Sequence, residues 1–215
     1  MELTTQQLQR VEHYLDKKNI TYIDVRFEVL DHIVSDIETK MTKENLDFET
    51  VFYNVTEKWN TQLKETTSMF FGLGFSAPKL VIQKAKKVYW KQYVLLFTSY
   101  FLPFILLTHF NFKIQNPTEF NFFIILKGIL IVSFVSFMFL LLTKNNKIKT
   151  TYGFILKSQG LGAVTGLIVL LMFFTRLKVL DGISVGMFCS FIFMTFSYFL
   201  FYKKHQEAIK KYKIS

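Results

Sequence analysis

The sequence predicts an all-α protein in two parts, a cytoplasmic three-helix bundle followed by a four-helix transmembrane domain. Of its 215 residues, 51% are apolar and 18% aromatic, more than the polar surface of a soluble domain leaves room for. Residues 1–65 carry 13 of the 16 acidic residues but only 8 of the 26 basic ones. The remainder is strongly basic and contains four apolar runs long enough to cross a bilayer.

The first domain, residues 1–65, is predicted to form three amphipathic helices. Thr4 and Gln7 have the spacing of a capping box, Thr21 with Asp24 opens the second helix, and Asp47 caps the third. Apolar residues at helical spacing are Leu8, Val11 and Leu15, then Ile23, Phe27, Leu30, Ile33, Val34, Ile37 and Met41, and finally Phe48, Phe52, Val55, Trp59 and Leu63.

The polar face of the second helix is the candidate partner-binding face, formed by Glu28, Asp31, His32 and Asp36. Glu28 and Asp36 each stand four residues from His32, so the three share one helix face. A metal site requires a further ligand from another helix, and no metal is predicted here. The structural alternative is a His32 ring that bonds a neighbouring carboxylate and stabilises the bundle.

Residues 8–65 resemble a known family. The segments H-Y-L, E-V-L-D-H-I-V-S-D-I-E and F-x-x-V-F-Y-x-V-x-x-K-W are similar to the HAAS-type helical domain. That domain precedes membrane segments in small bacterial proteins that are often encoded beside PadR-type transcriptional regulators, and it also prefixes some permeases. The whole chain resembles integral membrane proteins of flavobacteria. The resemblance implies a signalling or adaptor module and supplies no catalytic residues.

Residues 66–92 are predicted to form a basic interfacial linker helix that Pro78 can open. Its lysines alternate with apolar and aromatic residues, which is typical of a helix in the lipid headgroup zone. The candidate headgroup contacts are Lys84, Lys86, Lys87 and Lys91. Because the cluster flanks a membrane span, nucleic-acid binding is not predicted.

The transmembrane domain, residues 93–215, contains predicted spans at about 93–112, 120–142, 158–175 and 183–202, followed by a basic C-terminal tail. Lysines concentrate before the first span, between the second and third, and after the fourth. The positive-inside rule therefore places both termini in the cytoplasm of a multi-pass inner-membrane protein. The polar N-terminus, which does not have the pattern of a secretory signal, agrees with that orientation.

Small residues predict how two spans pack. Gly162 and Gly166 recur every four residues in the third span, and Gly182 and Gly186 do so in the fourth. Such stripes let helix backbones approach closely, so the third and fourth spans are expected to form a tight hairpin through them. The alternative is that glycine is simply frequent in membrane helices. Lys127, the one charge deep in a span, is expected to snorkel or cap a carbonyl rather than mark an ion path.

The function predicted from these features is non-catalytic. The sequence has no phosphate-binding glycine loop, no nucleophile elbow, no zinc-protease motif and no paired intramembrane carboxylates, so neither an enzyme nor a cofactor is predicted. We expect an adaptor or signalling component that contacts membrane lipids and a protein partner or further copies of itself. The alternative is a small oligomeric transporter or transporter subunit.

Overall fold

The fold is mostly helical, with two small two-stranded sheets. The computed structural model describes residues 2–116, 121–143, 147–175 and 179–213, and for 122, 161, 167, 169, 171–175 and 213 it describes the backbone alone. In chain order the elements are α1 (Thr5–Lys17), α2 (Ile23–Glu44), α3 (Phe48–Leu63), β1 (Glu65–Ser68), β2 (Gly72–Pro78), α4 (Lys79–His109), β3 (Ile114–Gln115), α5 (Asn121–Thr143), α6 (Thr151–Thr175), β4 (Val179–Leu180) and α7 (Gly182–Lys213).

Two of the three predicted helix caps of the first domain are confirmed. Thr4 and Gln7 form a complete capping box at α1. The Asp47 carboxylate accepts a hydrogen bond from the Thr50 amide at 3.1 Å, which caps α3. The prediction for α2 was wrong, since the residue at its N-cap is Tyr22 and no side chain bonds the helix end. The Asp24 carboxylate instead accepts a hydrogen bond at the start of α6.

The buried face of α2 is rotated relative to the predicted stripe. Ile33 and Ile37 are fully buried as expected, and Val25 and Val29 join them. Phe27, predicted to be in the core, remains 40% exposed. Its ring stacks on Tyr212 of α7 at 5.5 Å, so it is covered by the C-terminal helix rather than by the three-helix bundle.

Residues 66–92 do not form one linker helix. Their first part forms an antiparallel hairpin, in which Glu65 pairs with Pro78 and Ser68 with Gly72. Gly72 adopts a φ of 90°, which a side chain would disfavour, and so permits the tight return of the chain. Helix α4 begins at Lys79, directly after Pro78, and continues without a break to His109, close to the end of the first predicted span.

The chain divides into two compact units. The module unit comprises Met1–Lys86, Asn146–Phe154 and His205–Ser215, and the apolar unit comprises Lys87–Asn145 and Ile155–Lys204. The module unit therefore contains the three-helix bundle and the hairpin, with parts of α4, α6 and α7. The apolar unit contains α5 and the greater part of α4, α6 and α7.

Three described helices are long and apolar enough to cross a membrane. They are α4, the part of α5 from Phe123, and α7. The remaining predicted span, 158–175, belongs to α6, and several of its side chains lie outside the described residues. Lys144, Arg176 and Lys178, which enter the charge argument for orientation, also lie outside them.

The glycines of α7 pack against α4, not against α6 as predicted. A Cβ at Gly186 would lie 2.7 Å from the Tyr100 carbonyl oxygen, and one at Gly182 would lie 2.9 Å from the Phe104 carbonyl oxygen. Among the described atoms, nothing lies within 4 Å of a Cβ at Gly162 or Gly166. The small residues of α7 thus serve a close crossing with α4, whereas no described atom contacts those of α6.

The segment that follows α4 pairs with the segment that precedes α7. Ile114 pairs with Leu180 and Gln115 with Val179, forming the antiparallel β3–β4 ladder. These two-residue strands follow α4 and precede α7 respectively. The segments that the sequence predicts to lie outside the membrane are therefore neighbours.

Candidate functional site at the start of the sixth helix

The first turn of α6 is capped from two directions. Thr150 precedes the helix, and its hydroxyl oxygen accepts a hydrogen bond from the Gly153 amide at 2.9 Å. The Asp24 carboxylate, which α2 contributes, accepts from the Thr151 amide at 3.0 and 3.2 Å. A helix N-terminus presents unpaired amides and a partial positive charge, so both acceptors satisfy and stabilise it.

This cap is buried and is fixed by the backbone. Asp24 is 4% exposed and Thr150 is fully buried. The Ile23 amide donates to the Lys149 carbonyl at 3.0 Å, and Tyr22 forms a parallel bridge with Lys149. The start of α2 and the strand-like approach to α6 therefore run side by side, although they are far apart in the sequence.

Lys84 from α4 balances the negative charge of this cluster. Its ammonium donates to the Glu28 carboxylate and lies 3.9 Å from the nearer Asp24 oxygen. Burial lowers the pKa of Lys84, but the Glu28 hydrogen bond and the two carboxylate charges outweigh it, so the net pKa is raised. Lys84 is thus held in its charged form beside α2, and its role as a lipid headgroup contact stays a prediction.

His205 from α7 covers the other side of the same helix turn. Its ring is fully buried, and Nδ1 lies 2.8 Å from the Thr150 hydroxyl oxygen. A Cβ at Gly153 would come within 3.0 Å of the ring, so glycine is what allows this approach. Thr150 therefore links the backbone of α6 to a side chain of α7.

Aromatic side chains surround the polar cluster. Tyr22 packs edge-on against Phe154 at 6.3 Å. Burial raises the pKa of Tyr22 to about 12, with smaller contributions from the charges of Glu65 and Asp24. Burial and the nearby Asp24 also raise the pKa of Tyr152. Both hydroxyls consequently stay neutral and add no further negative charge.

The predicted partner-binding face is only partly free. Glu28 is engaged by Lys84, whereas Asp31, His32 and Asp36 are exposed on α2. His32 stacks on Trp59 of α3 at 6.4 Å and 19°, so its contact is aromatic, not the buried hydrogen bond considered from the sequence. Within the described parts of the chain, no group of three or more potential ligands is placed to hold a metal ion.

The other predicted positions are distributed along the helices. Lys86, Lys87 and Lys91 are exposed on α4. The Lys127 ammonium lies 4.8 Å from the centroid of the Phe123 ring, one turn nearer the start of α5. Its charge is therefore directed along the helix towards the β3 end and contacts an aromatic face.

Three components of the site were not predicted from the sequence. They are the cap by Asp24, the buried His205 ring and the ion pair of Lys84 with Glu28. A local signal existed for the start of α6, since Thr150-Thr151 directly precedes a long apolar run. No local signal could connect Asp24 with Thr151, which are 127 positions apart.

Comparison of the chain with protein-family models, with curated protein sequences and with solved structures finds no match.

Proposed function

We propose that this chain is a four-span protein of the bacterial cytoplasmic membrane, with both termini in the cytoplasm, and that its helical module is a non-catalytic adaptor or regulatory component. The observation that carries the proposal is the buried Asp24 cap. Through it, α2 of the module supplies a hydrogen-bond acceptor to the first turn of an apolar helix. A shift of α2 would leave the amide of Thr151 without that acceptor.

The alternation of chain ends supports four crossings. The start of α4, the start of α6 and the end of α7 belong to the module unit. The opposite ends of these helices lead into or out of the β3–β4 ladder. A chain that alternates between two ends in this way suits four antiparallel spans, with the acidic module on the cytoplasmic side of the basic helix ends.

The exposed part of α2 is the proposed partner surface. Asp31, His32 and Asp36 present two carboxylates and an aromatic ring on the helix that carries the Asp24 cap. A partner with a basic surface would complement them. Because the partner surface and the cap lie on one continuous helix, binding at the first can alter the second.

A binding experiment with charge reversal tests the adaptor function. We expect the full chain, purified in mild detergent, to retain a stoichiometric protein partner, and the double variant Asp31→Lys, Asp36→Lys to lose it. Glu12→Lys, an exposed acid on α1, is the matched control and should keep the partner.

The same preparations distinguish an adaptor from a transporter. Retention that is equal in the double variant and the control, or absent in all three, would contradict the proposed surface. Ion movement by the purified chain alone in liposomes would favour a transporter instead.

A further inference from the structure

An apolar groove opens on the apolar unit, and its volume suits one ligand chain. Three helices form it, with Phe97 and Phe101 on α4, Gly166 on α6 and Phe191 on α7. Its volume of about 500 Å³ lies within the roughly 300–1,000 Å³ that is usual for sites of small organic ligands. Gly166 leaves one side of the groove without a side chain, which makes room for a flexible chain.

One end of the groove is polar. A pocket of about 20 Å³ adjoins it and shares Leu96 and Met194 with its wall. Gln92, Gln159 and Tyr198 are among the residues that line this pocket. Such a volume admits a single atom group the size of a water molecule or a carbonyl oxygen.

The Tyr198 hydroxyl is the independent sign of a ligand. The residue is 4% exposed, and its hydroxyl has no hydrogen-bond partner within the part of the chain that the structure describes. An unpaired hydroxyl in an apolar environment is costly. Gln92 and Gln159 of the same pocket can also donate hydrogen bonds, so a ligand carbonyl would find several donors there.

The same end of the unit is basic. Lys91 precedes Gln92 on α4, Lys157 lies two residues before Gln159 on α6, and Lys203 follows Tyr198 on α7. All three lysines are exposed. Within the described residues of the apolar unit the one acidic residue is Asp181, at the other end of α7.

We propose that this groove binds one anionic glycerophospholipid, with an acyl chain along the groove and an ester carbonyl accepting a hydrogen bond from Tyr198. The order of the three zones on the protein, basic, donor and apolar, matches the order of phosphate, ester and chain in such a lipid. A helix from a second copy fits less well, because its backbone carbonyls are already satisfied within the helix.

Lipid chemistry provides a sharp test. The purified full chain is titrated with dioleoyl phosphatidylglycerol and with its ether-linked analogue, which keeps the charge and the chains but has no ester carbonyl. Dissociation constants are measured by native mass spectrometry. We expect the ether analogue to bind about fivefold more weakly, as the loss of one hydrogen bond predicts. Tyr198→Phe should weaken binding of the ester lipid by the same factor and should bind the two lipids equally.

A matched pair of glycine variants tests the groove itself. Gly166→Phe places a ring in the groove and should weaken phosphatidylglycerol binding at least about tenfold. Gly162→Phe makes the same change one turn away, outside the groove lining, and should bind like the unmodified chain. No described atom lies within 4 Å of a Cβ at either glycine, so both variants are compatible with the described part of the fold.

Three results would overturn the proposal. The first is equal affinity of the unmodified chain for the ester and ether lipids. The second is equal phosphatidylglycerol binding by the two glycine variants. The third is a change from dimer to monomer in Gly166→Phe with unchanged lipid binding, which would assign the groove to a second copy of the chain.

Discussion

Asp24 illustrates how one buried carboxylate can serve two partners. It lies in the first turn of α2, yet its oxygens accept from the Thr151 amide of α6 and face the Lys84 ammonium. One hydrogen-bond donor and one nearby cation, from different segments, compensate for the cost of its burial. The same environment makes the residue hard to replace, since no other group of the described chain bonds the Thr151 amide.

Removal of this carboxylate should destabilise the protein. We expect Asp24→Ala to lower the free energy of unfolding by about 1.5–3 kcal/mol, the usual range for a hydrogen bond to a charged group. Denaturant unfolding in detergent, followed by circular dichroism, measures it. Asp31→Ala, which removes an exposed carboxylate from the same helix, should change little. Equal midpoints for the two variants would show that the cap contributes nothing.

Tyr22 should make stability depend on alkaline pH. A free tyrosine releases its proton near pH 10, whereas burial raises the pKa of Tyr22 to about 12 in the folded chain. The unfolded state therefore loses the proton first, so stability is complete below pH 10 and falls between pH 10 and 12. Tyr22→Phe should flatten the fall of the melting temperature over that interval. Tyr53→Phe, a change at a 75% exposed ring, should leave it as steep as before.

At the scale of the element, local patterns predicted some features well. The capping residues Thr4 and Asp47 act within three positions of themselves, so the sequence contains the whole interaction. The β1–β2 hairpin was missed because its turn depends on the left-handed conformation of Gly72, while the adjacent apolar residues equally suit a lipid-facing helix. The Asp24 cap could not be predicted, since it depends on tertiary pairing rather than on local spacing.

Helix pairing was predicted from the right residues with the wrong partner. Small residues on α7 indicate a close crossing, but nothing in the stripe states which helix crosses there. The structure assigns the crossing to α4, through Gly182 and Gly186. On α6 no described atom lies within 4 Å of a Cβ at Gly162 or Gly166, and Gly166 lines the groove, so a stripe of small residues alone does not imply a helix contact.

Two leucine substitutions distinguish a glycine that lies at a helix contact from one that does not. Gly186→Leu should lower the melting temperature in detergent strongly, because a side chain there meets the backbone oxygen of Tyr100 at 2.7 Å. Gly162→Leu should leave it almost unchanged, since its side chain points into space free of described atoms. A comparable loss in both variants would mean that Gly162 also lies at a helix contact.

At the scale of the whole molecule, residues 1–65 are acidic and the rest of the chain is basic, and α4, α6 and α7 each continue from one unit into the other. The acidic residues concentrate in 1–65, while lysines stand at the helix ends that belong to or border the module unit. The hydrophobic spans and this asymmetry were both accessible from composition, because they are properties of long segments. The contact between Asp24 and the Thr151 amide was not, since it joins residues 127 positions apart in the sequence.

The β3–β4 ladder allows the orientation to be tested together with the pairing. In a chain with Cys189→Ser, cysteines replace Gln115 and Val179, which are paired in the ladder. Opposed antiparallel residues have Cα atoms about 4.5–5.5 Å apart, within the range of a disulfide. We expect oxidation to form an intramolecular disulfide.

An impermeant maleimide should label the reduced pair in intact cells, but should not label a cysteine at the exposed position of Asp36 until the membrane is opened. Labelling at that position in intact cells would place the module outside and would contradict the proposed orientation, whereas a disulfide that fails to form would contradict the ladder alone.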